Sequence, residues 1–147
     1  MATSEPWITL KRTYGEALKI LANPLGEVYV AVFKREVIGF IILQMEGTFT
    51  GYIQTVAVRA DWRGQGLGSR LIAFAEKRIF AEKPNVFMCV SSFNKKAQQL
   101  YRRLGYEKAG ILKNFIVSGH DEILLRKTIG PLAEFKTQKT HRTAVRN

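Results

Sequence analysis

The sequence holds a single cysteine, Cys89, and two histidines, His120 and His141. One thiol excludes an internal disulfide framework and any cysteine-rich zinc site, and two histidines do not make a ligand cluster, so no metal is expected. Long hydrophobic runs are absent too. The longest, Val37 to Met45, is interrupted by Gly39 and Gln44 and falls far short of the roughly 20 residues that cross a bilayer. The start, Met1-Ala-Thr-Ser-Glu-Pro6, lacks the basic and apolar regions of a secretory signal. A soluble cytoplasmic protein with no membrane partner is the expectation. Acids are scarce as well: 12 Asp and Glu face 23 Lys and Arg, for a formal net charge of +11. Such a surface suits nucleic acid or a ribosome, an anionic small ligand, or plain solubility. The bases are scattered, with no RNA-binding aromatic motif and no zinc-finger spacing, so direct nucleic-acid binding is not favoured.

What is present suffices for one domain. With 147 residues, 46% hydrophobic and 24% charged, the composition is near the globular average. A chain of this length buries roughly two-thirds of its unfolded surface and needs no covalent staple. Apolar positions at Leu10, Tyr14, Ala17, Leu18 and Leu21 predict a helix over 7–21, stopped by Asn23-Pro24 and Gly26. Val28–Phe33 and Val37–Met45 read as a hairpin across Lys34-Arg35-Glu36, and Tyr52–Val58 as a third strand. Leu67, Leu71, Ala75 and Ile79 then fall on one helical row. Val86–Val90 is a fourth strand. Asn94 is placed to cap a helix carrying Ala97, Leu100, Tyr101 and Leu104, and Gly105 to close it. Residues 106–117 and 123–129 read as a closing hairpin. This order of elements predicts an α/β layer with a mixed sheet. The domain is expected over 1–130. Beyond it, 131–147 carry four bases, Lys136, Lys139, Arg142 and Arg146, against Glu134, and read as a flexible basic tail.

The chemistry is concentrated in Val56-Ala-Val-Arg-Ala-Asp-Trp-Arg-Gly-Gln-Gly-Leu-Gly-Ser-Arg-Leu71. A strand passes through a short turn into a helix opened by glycines at alternate positions. Several backbone N–H groups can then aim at one point, and the helix N-terminus adds partial positive charge, so the segment can hold an anion. It is not the dinucleotide fingerprint: counted from Gly64 the last position is Ser69, and from Gly66 it is Leu71. A Walker A loop also fails, because Gly68 is followed by Ser69-Arg70.

Arg63-Gly-Gln-Gly-Leu-Gly68 resembles the R/Q-x-x-G-x-G/A acetyl-CoA signature of the GNAT superfamily of N-acetyltransferases. Gln54–Val58 is similar to that family's fourth strand. About thirty residues after the loop, Asn94-Lys-Lys-Ala-Gln-Gln-Leu-Tyr-Arg-Arg-Leu-Gly-Tyr106 resembles its N-x-x-A-x-x-x-Y-x-x-x-G-F/Y block. Two motifs in the right order are far more specific than either alone. The resemblance spans 28–129. It implies a mixed, mostly antiparallel sheet of about six strands with helices on both faces. It also implies transfer of an acetyl group from acetyl-CoA to a primary amine, by direct attack on the thioester and without a metal. Backbone groups of Val56 and Val58 would pair with the pantetheine arm, with Ala57 between them in the cofactor-binding stretch. The N–H groups across Gly64, Gln65, Gly66, Leu67, Gly68 and Ser69 would hold the pyrophosphate, with Arg63 adding charge. Asn94 would bond the pantetheine, and Tyr101 would protonate the departing thiolate. The competing reading of Tyr101 is core packing, since it lies beside Leu100 and Leu104 on an apolar row.

Within the superfamily the chain is most similar to bacterial and archaeal protein N-terminal acetyltransferases, including the enzyme that modifies a ribosomal protein's α-amine. Pro6-Trp7, the Tyr101 block, Leu112-Lys-Asn-Phe115 and the Gly119–Glu122 turn carry that likeness. It departs from them twice. Five residues before the asparagine, where that subgroup has a glutamate base, stands Cys89. Single buried cysteines usually pack inertly. Either another group, Glu46 or Gln54, acts through water, or the amine arrives neutral. An α-amine, with a pKa near 8, meets that condition better than lysine at about 10.4. Secondly, the family's first strand and helix are missing or cut short. The sheet edge so uncovered invites pairing with a second copy. His120 reads as a solvated turn residue at the acceptor mouth, Trp62 as packing under the glycine loop. The alternative function is a catalytically weak protein of this fold, bound to ribosome or nucleic acid through its basic surface.

Overall fold

The computed structural model describes residues 4–136. Its elements run α1 (Tyr14–Leu21), β1 (Gly26–Phe33), β2 (Glu36–Gln44), β3 (Tyr52–Val58), α2 (Leu67–Phe80), β4 (Asn85–Ser91), α3 (Lys95–Arg103), β5 (Glu107–Leu112) and β6 (Glu122–Thr128), with single 3₁₀ turns at Ala60–Trp62 and Leu132–Glu134. The six strands form one sheet in the order β1-β2-β3-β4-β6-β5. Among the described residues only β3 and β4 pair in parallel. The mixed, mostly antiparallel α/β layer expected from the sequence is the one observed.

The core lies between the sheet and α2 with α3. Leu71, Ile72, Ala75 and Ile79 of α2 pack with Ile41, Leu43, Ile53, Val86, Met88 and Leu125 from the strands, and Ala97, Leu100, Tyr101 and Leu104 of α3 join the same cluster. Side chains alternate across a strand, so Ile38 and Ile42, both buried, face the opposite side of the sheet. The β1–β2 hairpin turns on Lys34 and Arg35, both at positive φ (47° and 67°), the mirror-image turn that matches strand twist.

Two details depart from the sequence expectation. The first helix covers only Tyr14–Leu21, because Thr13 closes a capping box with Glu16: its hydroxyl accepts from the Glu16 N–H at 3.2 Å, and the Glu16 carboxylate accepts from the Thr13 N–H at 2.8 Å. Residues before it fold as tight turns, with Lys11 at φ 53°, and of the proposed stripe only Leu10 and Ala17 are buried. Removing the cap should be visible: Thr13→Ala is expected to lower unfolding free energy by about 1 kcal/mol in a urea titration. Secondly, β5 ends at Leu112, not at 117. There Asn114, at φ 50°, donates its N–H to the Asp121 carboxylate at 3.0 Å and accepts from the Gly119 N–H at 2.7 Å, closing a side-chain-bridged loop that competes with strand pairing. The expected basic tail lies, from 137 onward, outside the described residues.

Candidate active site

β3 and β4 pair at only two positions, Tyr52↔Phe87 and Ile53↔Met88. Both strands continue, β3 to Val58 and β4 to Ser91, but without pairing, so the sheet opens between them. A register shift in the β2–β3 ladder lies at the fork: Ile42 faces Thr55 and Leu43 faces Ile53, leaving Gln54 as the bulged residue. Bulges bend a strand and strengthen its local twist, which accounts for the divergence. The free edge of β3 has a definite polarity. The Arg59 N–H donates to the Ile38 carbonyl at 2.9 Å, and backbone groups alternate between the two edges of a strand. Those of Val56 and Val58 therefore point away from β2, into the opening, and those of Ala57 point toward β2. Both residues expected to pair with a pantetheine arm through the backbone are so directed. The Val58 carbonyl accepts from Arg63 Nε at 3.2 Å.

At the end of β3 the glycine loop leads into α2. Gly64 and Gly66 adopt φ 73° and 83°, and a Cβ built on either meets nothing within 4 Å. Positive φ, not crowding within the protein, demands glycine there. Gly66 is the N-cap, without a side-chain cap bond, and no acid lies in the first turn. The first intrahelical donor is Arg70, bonded to the Gly66 carbonyl at 3.1 Å, so the N–H groups of Leu67, Gly68 and Ser69 have no acceptor within the helix. Gln65 anchors the turn with its side chain, which donates to the Asp61 carbonyl at 3.0 Å. Arg59 is paired with Glu36 and Asp61, both at 2.7 Å. Positive charge near the loop is left to exposed Arg63 and Arg70. Trp62 packs against Phe33, ring centroids 5.0 Å apart, as its packing reading requires.

Across the opening stands α3. Asn94 caps it, its side-chain oxygen accepting from the Ala97 N–H at 3.2 Å, which leaves the amide NH₂ as the donor toward the opening. The other end is a Schellman motif: Tyr106 N–H bonds the Tyr101 carbonyl at 3.0 Å, Gly105 N–H the Arg102 carbonyl at 3.1 Å, and Gly105 takes φ 90°. The rings of Tyr101 and Tyr106 meet edge to face at 6.2 Å, the apolar contact that accompanies such caps. Tyr101 is thus fixed from both sides. It both packs on the core and lines the cavity, and burial raises its pKa above the ordinary 10.

That cavity measures about 540 Å³ and brings Val56, Asn94 and Tyr101 together with Gln54, Cys89 and Glu122. Its candidate bases sort by environment. Glu46 also lines the cavity, 81% exposed and 3.5 Å from Lys83. Gln54 accepts from the Gln44 amide at 2.9 Å. The Cys89 thiol has its pKa raised by burial, which makes it a poor base. His120 packs edge-on against Phe93 at 4.9 Å and does not line this cavity. Sequence reasoning missed two cavity residues, Arg12 and Glu122. Glu122 is 3% exposed and accepts from the Ser91 hydroxyl at 2.6 Å. Among the described residues no group of three or more His, Cys, Asp or Glu could hold a metal ion, and no helix is long and apolar enough to cross a membrane.

A sheet forked between two parallel strands, beside a glycine-rich helix start with no side-chain cap, defines the α/β class of this fold. The chain belongs to the acetyltransferase (GNAT) family, whose model matches residues 2–106. It is 32% identical over 101 residues to an uncharacterised N-acetyltransferase of Methanocaldococcus jannaschii, covering 67% of this chain and 64% of that protein. To an N-alpha-acetyltransferase of Arabidopsis thaliana it is 31% identical over 102 residues, covering 67% of this chain and 54% of the other. The chain thus spans less than two-thirds of the length of these curated relatives. Among solved structures, a streptothricin acetyltransferase of Bacillus anthracis in complex with acetyl coenzyme A superposes with a TM-score of 0.65 at 23% identity, over 81% of this chain and 69% of that one.

Proposed function

We infer that the protein is an acetyl-CoA-dependent N-acetyltransferase that moves an acetyl group to a primary amine, on a protein N-terminus or a small molecule. The observation that carries this reading is the opening between β3 and β4 beside the α2 N-terminus. A pantetheine arm can lie along the free edge of β3 as a further strand, bonded by backbone groups of Val56 and Val58, with Ala57 contributing only its side chain. Asn94 meets the arm from α3. The N–H groups across Gly64 to Ser69 and the charge of Arg63 hold the pyrophosphate. The Val56 N–H polarises the thioester carbonyl as a one-donor oxyanion hole. Tyr101, kept protonated by burial, supplies the proton that the departing thiolate needs. Likeness to an N-alpha-acetyltransferase favours an α-amine as acceptor. The +11 charge suits the anionic coenzyme and disfavours polybasic acceptors. The β1 edge, with Val30 and Val32 56% and 57% exposed, supports pairing of two copies, and a single cysteine suits the cytoplasm.

A calorimetric titration with acetyl-CoA tests the reading. Stoichiometric binding with a micromolar constant, about −8 kcal/mol, is expected. Gly66→Ala, which forces a side chain into φ 83°, should weaken that binding at least about tenfold by misaiming the first-turn N–H groups, the strain being about 1–2 kcal/mol. No detectable binding by the native protein would overturn the assignment.

A further inference from the structure

The position that holds a thiol in this chain, Cys89, cannot deprotonate an ammonium group at neutral pH, yet the cavity is not without a base. β4 and β6 pair so that Ser91 lies opposite Glu122 and Cys89 opposite Leu124. Partners across a ladder share a face, so the Glu122 carboxylate sits one step along the same face as the Cys89 thiol. One Glu122 oxygen accepts from the Ser91 hydroxyl at 2.6 Å. The other has no hydrogen bond among the described residues, and the residue lines the cavity. Glu122 is 3% exposed, an uncommon place for a carboxylate without an arginine or lysine bonded to it. The charged and titratable groups facing it are the Arg12 guanidinium from the N-terminal turns, Tyr52 from β3 and Cys89 from β4. β5 presents apolar Leu112 opposite it.

We propose that Glu122 is the general base of the transferase, taking the proton of the acceptor ammonium from the next strand in place of a carboxylate at position 89. This rests on the acetyltransferase reading above. The proton balance closes. The ammonium gives one proton to the Glu122 carboxylate, which later releases it to solvent. The neutral amine forms the C–N bond, and the C–S bond breaks. The thiolate takes the Tyr101 proton, and the second amine proton restores the Tyr101 hydroxyl. Desolvation raises the Glu122 pKa, opposed by the Ser91 hydrogen bond and by Arg12. That shift brings a carboxyl toward the range where a base works best near neutrality.

Glu122→Gln keeps the Ser91 bond and removes only the charge. The assay measures acetyl transfer to two probes, a tripeptide amide with a free α-amine and an Nα-acetyl-lysine amide, between pH 6 and 9.5. For the lysine probe at pH 7, E122Q is expected to lose about 10²-fold in kcat/KM. For the α-amine at pH 9, already mostly neutral, the loss should shrink to within about threefold. The acidic limb of the native profile, set by the raised Glu122 pKa, should move in the variant up to the pKa of the acceptor amine itself. A merely structural carboxylate would instead give a loss independent of pH and of amine pKa, which overturns the proposal. Carbon-13 NMR of the glutamate carboxyls gives a second readout that needs no acceptor. Glu122 must titrate above an ordinary glutamate and below pH 8, and a carboxyl that stays protonated to pH 9 also overturns it. Calorimetry on the same samples separates the two readings. If both proteins bind acetyl-CoA alike while E122Q is as active as the native enzyme, Glu122 is excluded and the transferase assignment stands. If neither binds, the assignment itself has failed.

Discussion

Tyr101→Phe is expected to lower kcat by about 10²-fold or more while leaving acetyl-CoA affinity and melting temperature nearly unchanged, the range for removal of a positioned general acid. On the proposed mechanism only the hydroxyl has chemistry to do. The ring is held by the Asn94 cap at one end of α3 and the Gly105 Schellman turn at the other, and phenylalanine packs on Tyr106 and the core in the same way. Burial raises the phenol pKa above 10, so the acid is intact throughout the neutral range. Its activity should be lost only as pH rises through that raised value, and this basic limb should be missing in the variant. Thiol release followed from pH 6 to 10.5, with calorimetry for binding, makes the comparison. A kcat within about threefold of native would return Tyr101 to the role of core aromatic.

The largest stability effect is expected from Gly51→Ala, about 3 kcal/mol of unfolding free energy and about 10 °C in melting temperature. Gly51 has φ 82°, and a Cβ there would overlap the Asn85 carbonyl and come within 2.6 Å of Ile79 Cγ2. Left-handed backbone costs an L-residue about 1–2 kcal/mol, and overpacking adds about 1–3 more. For a chain of this size each kcal/mol moves the melting point by about 2–4 °C. The site matters because the Gly51 carbonyl accepts the Phe87 N–H at 3.0 Å, the bond at the root of the fork. Gly47→Ala is the control. Its φ is 109° but a Cβ would meet nothing within 4 Å, so only the backbone strain should register. Equal losses for the two in guanidinium titrations would mean that the clash at Gly51 is relieved by movement of the strands.

The α3 unit shows how much a local signal can carry. Asn94, the Ala97-Leu100-Tyr101-Leu104 row and Gly105 each act within a turn or two of themselves, so cap, face and stop could all be read in order. The glycine loop was equally legible, because the φ values that require glycine at 64 and 66 are properties of those residues. The N-terminal helix was misread over its first turns. The 3.6-residue spacing of Leu10, Tyr14 and Leu18 is real, but Tyr14 and Leu18 stay 72% and 46% exposed, and the Thr13–Glu16 capping box decides the start. The loop after Leu112 was overextended for a similar reason, since the Asn114 and Asp121 side chains capture backbone groups that strand pairing would have used.

By itself, then, the sequence determined the order of helices and strands, the glycine-dependent turn at 63–69 and the family to which the chain belongs, because each depends on residues close together along the chain. Only the tertiary structure decided where the sheet opens and which of the carboxylates lining the cavity is buried there. Ser91 and Glu122 are 31 positions apart and meet through the β4–β6 register. Glu46, which the sequence offered as a base, lines the same cavity but stays 81% exposed beside Lys83. The physical reason is the same for both. Whether a carboxylate is a solvated surface charge or a desolvated base depends on what the fold packs around it, and no short-range pattern records that.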